Sequence, residues 1–397
     1  MKLSPRRACF LFSTLVLLLL PGAARATDTE PIRVGASISL SGTYTEPSAM
    51  IRDGYRLWAE QVNERGGLLG RPVDLILRDD HSDPDSVRAI YHALVDDEKV
   101  DLVLSPYGTP LTLEASEVTE KAGMVMLACA AAGKAVWERG YRYVFGMYVL
   151  GDRYFIGLLD LMARHGMRTV AVLHEDNPFN NDVADGAVQW ADRFGLAVAR
   201  NTAFTPGRDD LAPLLADLAD ADPDGLIVSC YPPAGYQVLD GLTRLAWRPR
   251  ALALTIIPTH PDFLTKAGPI GEGVFAPSQW EPDERIPYPG TTRFVADFQA
   301  AYGRLPSYHA GSAYASCQIL EQAIRHVQAI DQRRIREYVM ALDTVTVIGR
   351  FKVDHAGRQV GHNPILVQWQ DGRKEIVYPT KMQTAEPRFG PPGEKRP

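Results

Sequence analysis

The chain has 397 residues, which is long for one ordinary hydrophobic core and fits two domains. Its formal net charge is −6. Because it lacks the clustered basic residues with which proteins follow a nucleic-acid backbone, nucleic-acid partners are not expected.

The first 26 residues have the three parts of a secretory signal peptide in the right order. Basic residues at Lys2, Arg6 and Arg7 precede an apolar run at 9–20, and a small-residue site ends at Ala26. The run of about 12 residues is shorter than the roughly 20 that span a bilayer. We therefore predict cleavage after Ala26 and export to the periplasm, by either the Sec or the twin-arginine route. Loss of four basic residues would change the net charge from −6 to −10.

From Ile32 onward, short β-branched runs alternate with segments of helical period, a pattern typical of parallel-sheet α/β units. In a first series, strands are predicted at 32–40, 73–77, 102–104 and 125–128, and helices at 50–62, 84–96 and 113–122. This series predicts one sheet that is complete by about residue 145.

A second series predicts a second α/β lobe. Its strands are predicted at 169–173, 197–202, 226–229 and 252–257, and its helices at 154–165, 183–194, 211–218 and 235–245. Three helices follow, at 291–302, 308–328 and 335–342, and then a β-rich tail at 350–377. The tail is too small to be a domain, so these elements should complete lobes already begun. The chain is therefore expected to cross between the lobes more than once.

The loops at the carboxyl ends of the strands are where open parallel sheets bind ligands. In the first series, loops 39–44, 105–109 and 129–133 are dominated by hydroxyl-bearing and small residues, which suit a carboxylate held by N–H groups and hydroxyls. For any single Ser or Thr a helix cap, and for any single Gly a turn, is the more ordinary explanation, so the hypothesis depends on their clustering. In the second series, Phe179 and Tyr231 could cover a ligand or belong to the local core.

Sequence signatures of enzymes are missing. The chain has no nucleophile elbow, no phosphate-binding P-loop and no HExxH motif. Loop 80–83 (DHSD) contains the residue types of a catalytic triad, but neighbours in one loop rarely reach triad geometry. Neither 174–175 nor 260–262 has the spacing of a known metal site. We expect no enzymatic activity, no metal and no cofactor.

Three cysteines remain in the mature chain, at Cys129, Cys230 and Cys317. Their number and wide spacing define no disulfide framework. We expect them to be buried as small hydrophobic residues.

Several segments resemble the leucine/isoleucine/valine-binding proteins of ABC transporters. They are 32–42 (IRVGASISLSG), 63–70 (NERGGLLG), 75–80 (LILRDD) and 231–233 (YPP). The likeness extends over about residues 32–378. It implies the type I periplasmic binding protein fold, an α/β fold of two doubly wound lobes joined by a three-crossing hinge. The implied crossings lie near Gly146, Gln279 and Ile348. The implied units are 27–146 with 280–347, 147–279 with 348–378, and a flexible tail at 379–397.

The resemblance also implies a ligand site, with the ligand's α-carboxylate on the first lobe and aromatic contacts on the second. The implied site residues are Tyr107, Gly108, Thr109, Thr112, Ala130, Ala131, Phe179, Tyr231 and Thr259. Two positions depart from the family pattern. The family's hydroxyl is missing at Ala132, and the acidic residue that receives the ligand's α-ammonium falls at Pro258 or Thr259, which cannot accept that charge.

The departure at Pro258 or Thr259 leaves two alternatives. Either another carboxylate takes over, with Glu175, Asp176 and Glu281 as candidates, or the ligand has no ammonium.

The expected function is that of an extracytoplasmic solute-binding receptor. It would capture a small amino acid, or a related carboxylate or amide, between its lobes and deliver it to the permease subunits of an ABC transporter. We expect a monomer. The alternative is a ligand sensor of the same fold that signals to a regulator or receptor.

Overall fold

The computed structural model describes residues 30–207, 210–285 and 288–390, so the predicted signal peptide lies outside the described residues. The first series of elements is β1 (Ile32–Ile38), α1 (Thr45–Glu64), β2 (Val73–Asp79), α2 (Pro84–His92), β3 (Leu102–Val103), α3 (Thr109–Lys121), β4 (Met126–Ala128) and β5 (Val144–Gly146). A short π-helical turn, Ala93–Asp97, continues α2 over the length predicted for that helix.

The first lobe is built on β1, which lies between β2 and β3 in a parallel sheet. β4 and β5 form a further parallel pair. Almost every residue of β1 is buried, as expected for a strand with helices on both faces of its sheet. α1 covers one face with apolar residues spaced by three and four, among them Met50, Tyr55, Trp58 and Val62.

The second lobe is built on a sheet in the order β14-β13-β10-β9-β8-β6-β7. Its elements are α4 (Ile156–Arg164), β6 (Thr169–Glu175), α5 (Pro178–Arg193), β7 (Ala197–Phe204), α6 (Ala212–Ala221), β8 (Gly225–Ser229), α7 (Pro232–Arg244), β9 (Ala251–Leu254), α8 (Phe263–Ala267) and β10 (Phe275–Ser278). Strands β6 to β10 pair in parallel, whereas β13 is antiparallel to both of its neighbours. Residues 252–257, predicted as one strand, leave the sheet at Leu254 because Ile256 has a left-handed φ of +64°.

The last third of the chain contributes to both lobes. It contains α9 (Thr291–Tyr302), α10 (Tyr308–Val327), α11 (Gln332–Ala341), β11 (Asp343–Thr346), β12 (Gly349–Lys352), β13 (Ile365–Gln370) and β14 (Arg373–Tyr378). Helices α9 and α10 pack on α1 of the first lobe, while β13 and β14 join the sheet of the second. The chain therefore crosses between the lobes repeatedly, as predicted. The residue-level lobe boundaries stay predictions.

The sequence predicts a flexible tail from residue 379, but residues up to Gly390 are held against the second lobe. Arg388 N–H donates to Oε1 of Gln368 at 2.9 Å, and Gly390 N–H donates to the carbonyl of Arg250 at 2.9 Å. The ring of Phe389 stacks on Phe275 with centroids 5.3 Å apart. Backbone hydrogen bonds and apolar burial explain the difference, because composition alone does not reveal such a partner.

The buried apolar residues form separate clusters on the outer faces of the two sheets and one cluster that runs through both lobes. The shared cluster contains Tyr107 from the first lobe and Phe179 and Tyr231 from the second. The lobes are therefore in contact, in a closed arrangement. None of the helices within the described ranges has the length and apolar character needed to cross a membrane.

Candidate functional site

The cleft between the lobes lies where strand ends of both sheets meet. Tyr107 and Gly108 follow β3, and Thr109 begins α3. Ala130 follows β4. From the second lobe, Phe179 lies in the first turn of α5 and Tyr231 immediately precedes α7. These six residues were predicted from the sequence, and all six line one small pocket.

The other three predicted residues do not line this pocket. Thr112 lies on α3 with its hydroxyl buried and without a partner among the described residues. Ala131 points into the outer core of the first lobe. Thr259 is buried, its hydroxyl donates to the carbonyl of Ile256 at 2.6 Å, and its own carbonyl accepts from Lys374 Nζ at 2.8 Å.

The pocket has further lining residues that the sequence analysis did not select: Ala132, Tyr148, Tyr154, Ile256, Tyr308 and His309. Tyr148 and Tyr154 come from the connection between β5 and α4, and Tyr308 and His309 begin α10. Ala132 had appeared only as a departure from the family pattern. A run of aromatic residues at the start of a helix was the available signal for Tyr308 and His309.

Aromatic rings dominate the closed cleft. The ring of Tyr231 lies 4.7 Å from Tyr44 and 6.1 Å from Tyr107 of the first lobe, and 6.0 Å from Phe179 of its own lobe. Each such pair contributes roughly 0.5–1.5 kcal/mol beyond area burial. Tyr231 therefore makes the aromatic contact between the lobes.

The first-lobe wall is shaped by the start of α3. Gly108 has a left-handed φ of +77°, and a Cβ there would lie 3.5 Å from the Tyr231 hydroxyl. Thr109 Oγ1 accepts from Gly133 N–H at 3.0 Å, which joins the loops after β3 and β4. The wall thus combines a bare backbone with a fixed hydroxyl, as a small polar ligand would require.

The pocket encloses only about 10 Å³, enough for about one water molecule. Its lining contains no Asp, Glu, Lys or Arg. Burial lowers the pKa of His309 to about 3, with smaller contributions from the neighbouring His260 and Lys374, so its ring is neutral at physiological pH. The cleft wall is therefore uncharged.

Two tyrosine hydroxyls on this wall, those of Tyr148 and Tyr231, are buried, and neither O–H donates to a described residue; the Tyr231 oxygen lies against the backbone of Thr109, which can only donate to it. An unpaired buried hydroxyl costs about 1–3 kcal/mol. Two of them at one small pocket indicate a site that is completed by a polar ligand.

The three candidate carboxylates differ in their surroundings. Asp176 is exposed and accepts from Asn181. Glu281 is buried but already paired with Lys374 Nζ at 2.6 Å. Glu175 is 4% exposed and has no ion-pair partner among the described residues.

Glu175 serves the second lobe's own loops. Its Oε2 accepts from Tyr231 N–H at 3.1 Å and from Asn180 Nδ2 at 3.2 Å. Burial raises the pKa of Glu175 to about 7, and the hydrogen bonds from Tyr231 N–H and Asn177 Nδ2 offset only part of that effect. Glu175 therefore fixes the backbone of Tyr231, and it is not one of the residues that line the pocket.

Ion pairs join the lobes beside the cleft. Glu46 of α1 accepts from Lys266 Nζ of α8 at 2.5 Å and from the hydroxyl of Tyr236 of α7 at 3.2 Å. Elsewhere Lys134, which follows β4, meets Asp182 of α5: its N–H donates to Oδ2 at 2.7 Å. Each contact connects a first-lobe residue with a second-lobe residue and so favours closure.

Loop 80–83 does not form a triad: the Ser82 hydroxyl donates to the carbonyl of Ser41, and Asp83 accepts from Ser86 N–H. The contacts of His81 are with residues outside the loop. Ser41 Oγ and Asp79 Oδ2 both contact the same nitrogen of His81, Nδ1, at 2.7 and 3.0 Å. A triad needs the acid and the nucleophile on different ring nitrogens. Asp80 instead accepts from Ser37 and Ser39 in the interior.

Cys129, Cys230 and Cys317 are free, and they are buried, as predicted. Burial raises the pKa of Cys129 to about 11. A thiol of this kind is a poor nucleophile.

Known proteins are similar to this chain over most of its length. A family model described as periplasmic binding protein matches residues 31–374. A Leu/Ile/Val-binding protein homolog 7 of Brucella suis is 23% identical, covering 96% of this chain and 98% of that protein. An amino acid binding protein of Pseudomonas aeruginosa is 24% identical, covering 85% and 91%.

Solved structures share the fold. The branched-chain amino acid transporter substrate-binding protein LivJ of Streptococcus pneumoniae, in complex with isoleucine, has a TM-score of 0.79 at 17% identity, over 88% of this chain and all of that one. A Rhodopseudomonas palustris solute-binding protein in complex with benzoate has a TM-score of 0.76 at 18% identity, over 87% and 95%. This likeness confirms the predicted type I periplasmic binding protein fold.

The family model extends over most of the chain, and its members are extracytoplasmic binding proteins rather than enzymes. The chain therefore belongs to the periplasmic binding protein family, among the relatives of the Leu/Ile/Val-binding proteins of ABC transporters.

Proposed function

We propose that this protein is the solute-binding subunit of an ABC transporter, which captures a small carboxylate in its cleft and delivers it to the permease. The observation that carries the proposal is the pair of buried hydroxyls of Tyr148 and Tyr231, whose O–H groups donate to no described residue, on a wall whose described lining has no charged residue. Phenol O–H groups can donate to a carboxylate oxygen.

The ligand class follows from the same wall. A primary ammonium buried here would have no carboxylate partner, at a cost of several kcal/mol. Glu175 is engaged by Tyr231 N–H, Glu281 by Lys374, and Asp176 is exposed. We therefore favour a carboxylate without an α-ammonium over an amino acid. The R. palustris protein bound to benzoate is a relative in fold with such a ligand.

Capture requires the lobes to open. The closed cleft holds about 10 Å³, far less than the 300–1,000 Å³ of typical ligand pockets. In the proposed cycle, the ligand binds the first lobe of an open form, and closure brings Phe179 and Tyr231 over it. Burying one apolar group gives roughly 1.5–3 kcal/mol of the about 8 needed for micromolar affinity, so the polar contacts must supply much of the rest.

The cellular part of the proposal combines the leader sequence with the family. Residues 1–26 would direct export, with cleavage after Ala26, and the mature monomer would diffuse in the periplasm to its permease. Deleting the gene should abolish high-affinity uptake of the identified ligand. Normal uptake in the deletion strain would contradict the transport role.

Matched ligand pairs test the ligand class. Isothermal titration would compare leucine with 4-methylpentanoate and phenylalanine with 3-phenylpropanoate, which differ in the ammonium alone. We expect the deaminated acid of each pair to bind at least about tenfold more tightly, since only it avoids the unpaired charge. Tighter binding of the amino acids would overturn the ligand class but leave the transport role standing.

Single hydroxyl deletions test the site. Tyr231→Phe and Tyr148→Phe should each weaken binding of the best acid by about fivefold to tenfold, the loss of one charge-assisted hydrogen bond. Tyr302→Phe is the matched control, because its hydroxyl is also buried and without a partner among the described residues but lies outside the cleft. Equal effects of the three variants would show that the cleft hydroxyls do not contact the ligand.

A further inference from the structure

A second cavity lies beside the segments that connect the lobes. It measures about 540 Å³ and shares no lining residue with the cleft. We call it the hinge cavity; its lining includes Arg153, Trp190, Trp280, Ile348, Ile376 and Lys381. Its volume falls in the range of small-molecule sites.

The two walls of the hinge cavity belong to different lobes. Trp190 lies on α5 and Ile376 on β14, both in the second lobe. Trp280 and Ile348 pack against Gly311 of α10, in the first lobe, where a Cβ would lie 3.1 Å from Trp280 and 2.7 Å from Ile348. An occupant of this cavity would therefore contact both lobes.

The charge of the lining is unbalanced. Arg153 and Lys381 line the cavity, are exposed, and have no ion-pair partner in the described part of the chain. Arg153 Nη2 donates only to the amide oxygen of Asn363, at 3.1 Å. Among the described lining residues one is acidic, Glu281, and it is neutralised by Lys374. The rim is therefore positive and complementary to an anion.

One residue of the cavity lining, Trp280, carries an unused donor. Trp280 is 3% exposed, and its indole N–H has no hydrogen-bond partner among the described residues. The apolar side chains of Ile348 and Ile376 are also buried. The lining thus offers an apolar interior, one buried N–H and a cationic rim.

We propose that the hinge cavity is a second ligand site, which binds a small organic anion with an apolar body. The apolar body lies against Trp280, Ile348 and Ile376, and the anionic group lies at Arg153 and Lys381. Because its walls come from both lobes, occupation biases the closure equilibrium and couples to the cleft.

The test uses 4-phenylbutanoate as the probe and 4-phenylbutanamide as its neutral match. The ¹H–¹⁵N resonance of the Trp280 indole, assigned with Trp280→Phe, reports on the cavity, since the cleft lining contains no tryptophan. Trp58, whose indole donates to Glu321 at 3.1 Å, is the internal control. We expect saturable shifts of the Trp280 signal with a dissociation constant of about 1 mM, as fits a ligand of this size.

Charge removal then separates the hinge cavity from the cleft. The double variant Arg153→Gln/Lys381→Gln should weaken binding of the acid by about tenfold or more and leave the affinity for the amide unchanged. Lys121→Gln/Arg333→Gln, which removes two exposed charges on α3 and α11, should have no effect. A Trp280 shift that persists in the Arg153/Lys381 variant would report cleft binding and overturn the proposal. Equal affinity for acid and amide, or no shift up to about 10 mM, would also overturn it.

Discussion

Glu175 illustrates how one residue can support a site without touching the ligand. Its carboxylate holds the backbone N–H of Tyr231 from inside the second lobe, with no cation nearby among the described residues. The burial that raises its pKa to about 7 penalises the charged form. Near pH 7 the folded protein therefore carries a buried Glu175 carboxylate, whose charge water would stabilise better than the protein interior does.

Glu175→Gln should change the pH dependence of stability. The pKa of Glu175 is higher in the folded state than in the unfolded state, so its favourable contribution is complete below about 4.5 and is lost as the pH rises through 7. Gln keeps an acceptor for Tyr231 N–H without the charge. The variant should gain stability over the wild type between pH 5 and 8, by up to about 3 kcal/mol.

Urea unfolding at several pH values measures this difference. Burial also lowers the pKa values of His260 and His309 to about 3, so their contributions are lost as the pH falls below about 6.5. That loss is common to both proteins and cancels in the comparison. A difference in unfolding free energy that stays constant from pH 5 to 8 would contradict the role assigned to Glu175.

At the scale of elements, the close contact of α1 with α10 positions part of the cleft. Gly54 allows it, since a Cβ there would lie 2.5 Å from the carbonyl of Ala310 and 3.1 Å from Ala313 Cβ. Tyr308 and His309, which line the pocket, lie directly before Ala310. The helix contact therefore sets where two aromatic rings of the cleft lie.

Gly54→Ala should destabilise the protein although alanine favours helices. The gain in helix propensity is about 1 kcal/mol, but a clash with backbone forces the helices apart, and we expect a net loss of about 1–3 kcal/mol. Gly241→Ala, on α7, is the matched control: its Cβ meets only the end of the Leu215 side chain, which can rotate away. The thermal unfolding midpoint of Gly54→Ala should lie well below that of Gly241→Ala. Equal midpoints would refute the packing argument.

Elements were easier to predict than the site because hydrophobic periodicity is a local property. Strands β1 to β4 and β6 to β9 and the helices α9 to α11 lie close to their predicted positions, β13 and β14 fall in the predicted β-rich tail, and β10 was not predicted. The predicted starts of α3 and α5 lie four and five residues after the observed starts. The pairs Thr109-Pro110 and Asn177-Pro178 carried the available signal, since proline favours the first turn of a helix. Tyr148, Tyr154, Tyr308 and His309 reach the cleft only through tertiary folding, which no local pattern encodes.

At the scale of the whole molecule, closure depends on contacts between the lobes as well as on the ligand. The aromatic contacts of Tyr231 lie in the cleft, and Glu46 with Lys266 lies beside it. Lys134 with Asp182 joins the lobes at a second point. The structure is therefore a closed form in which these contacts already hold the lobes together.

Lys266→Gln should shift the equilibrium between the closed and open forms toward the open form and so weaken ligand binding. The Lys266 side chain is 42% exposed and that of Glu46 20%, so solvent limits the pair to about 0.5–1 kcal/mol, or roughly a twofold to fivefold loss of affinity. Lys121→Gln is the matched control, because Lys121 pairs with Glu117 within α3 and this ion pair does not connect the two lobes. Titration calorimetry gives the affinities, and small-angle scattering without ligand should show a larger radius of gyration for Lys266→Gln alone. If both variants keep wild-type affinity and dimensions, the pair between Glu46 and Lys266 does not control closure, and closure must depend on the aromatic contacts of the cleft.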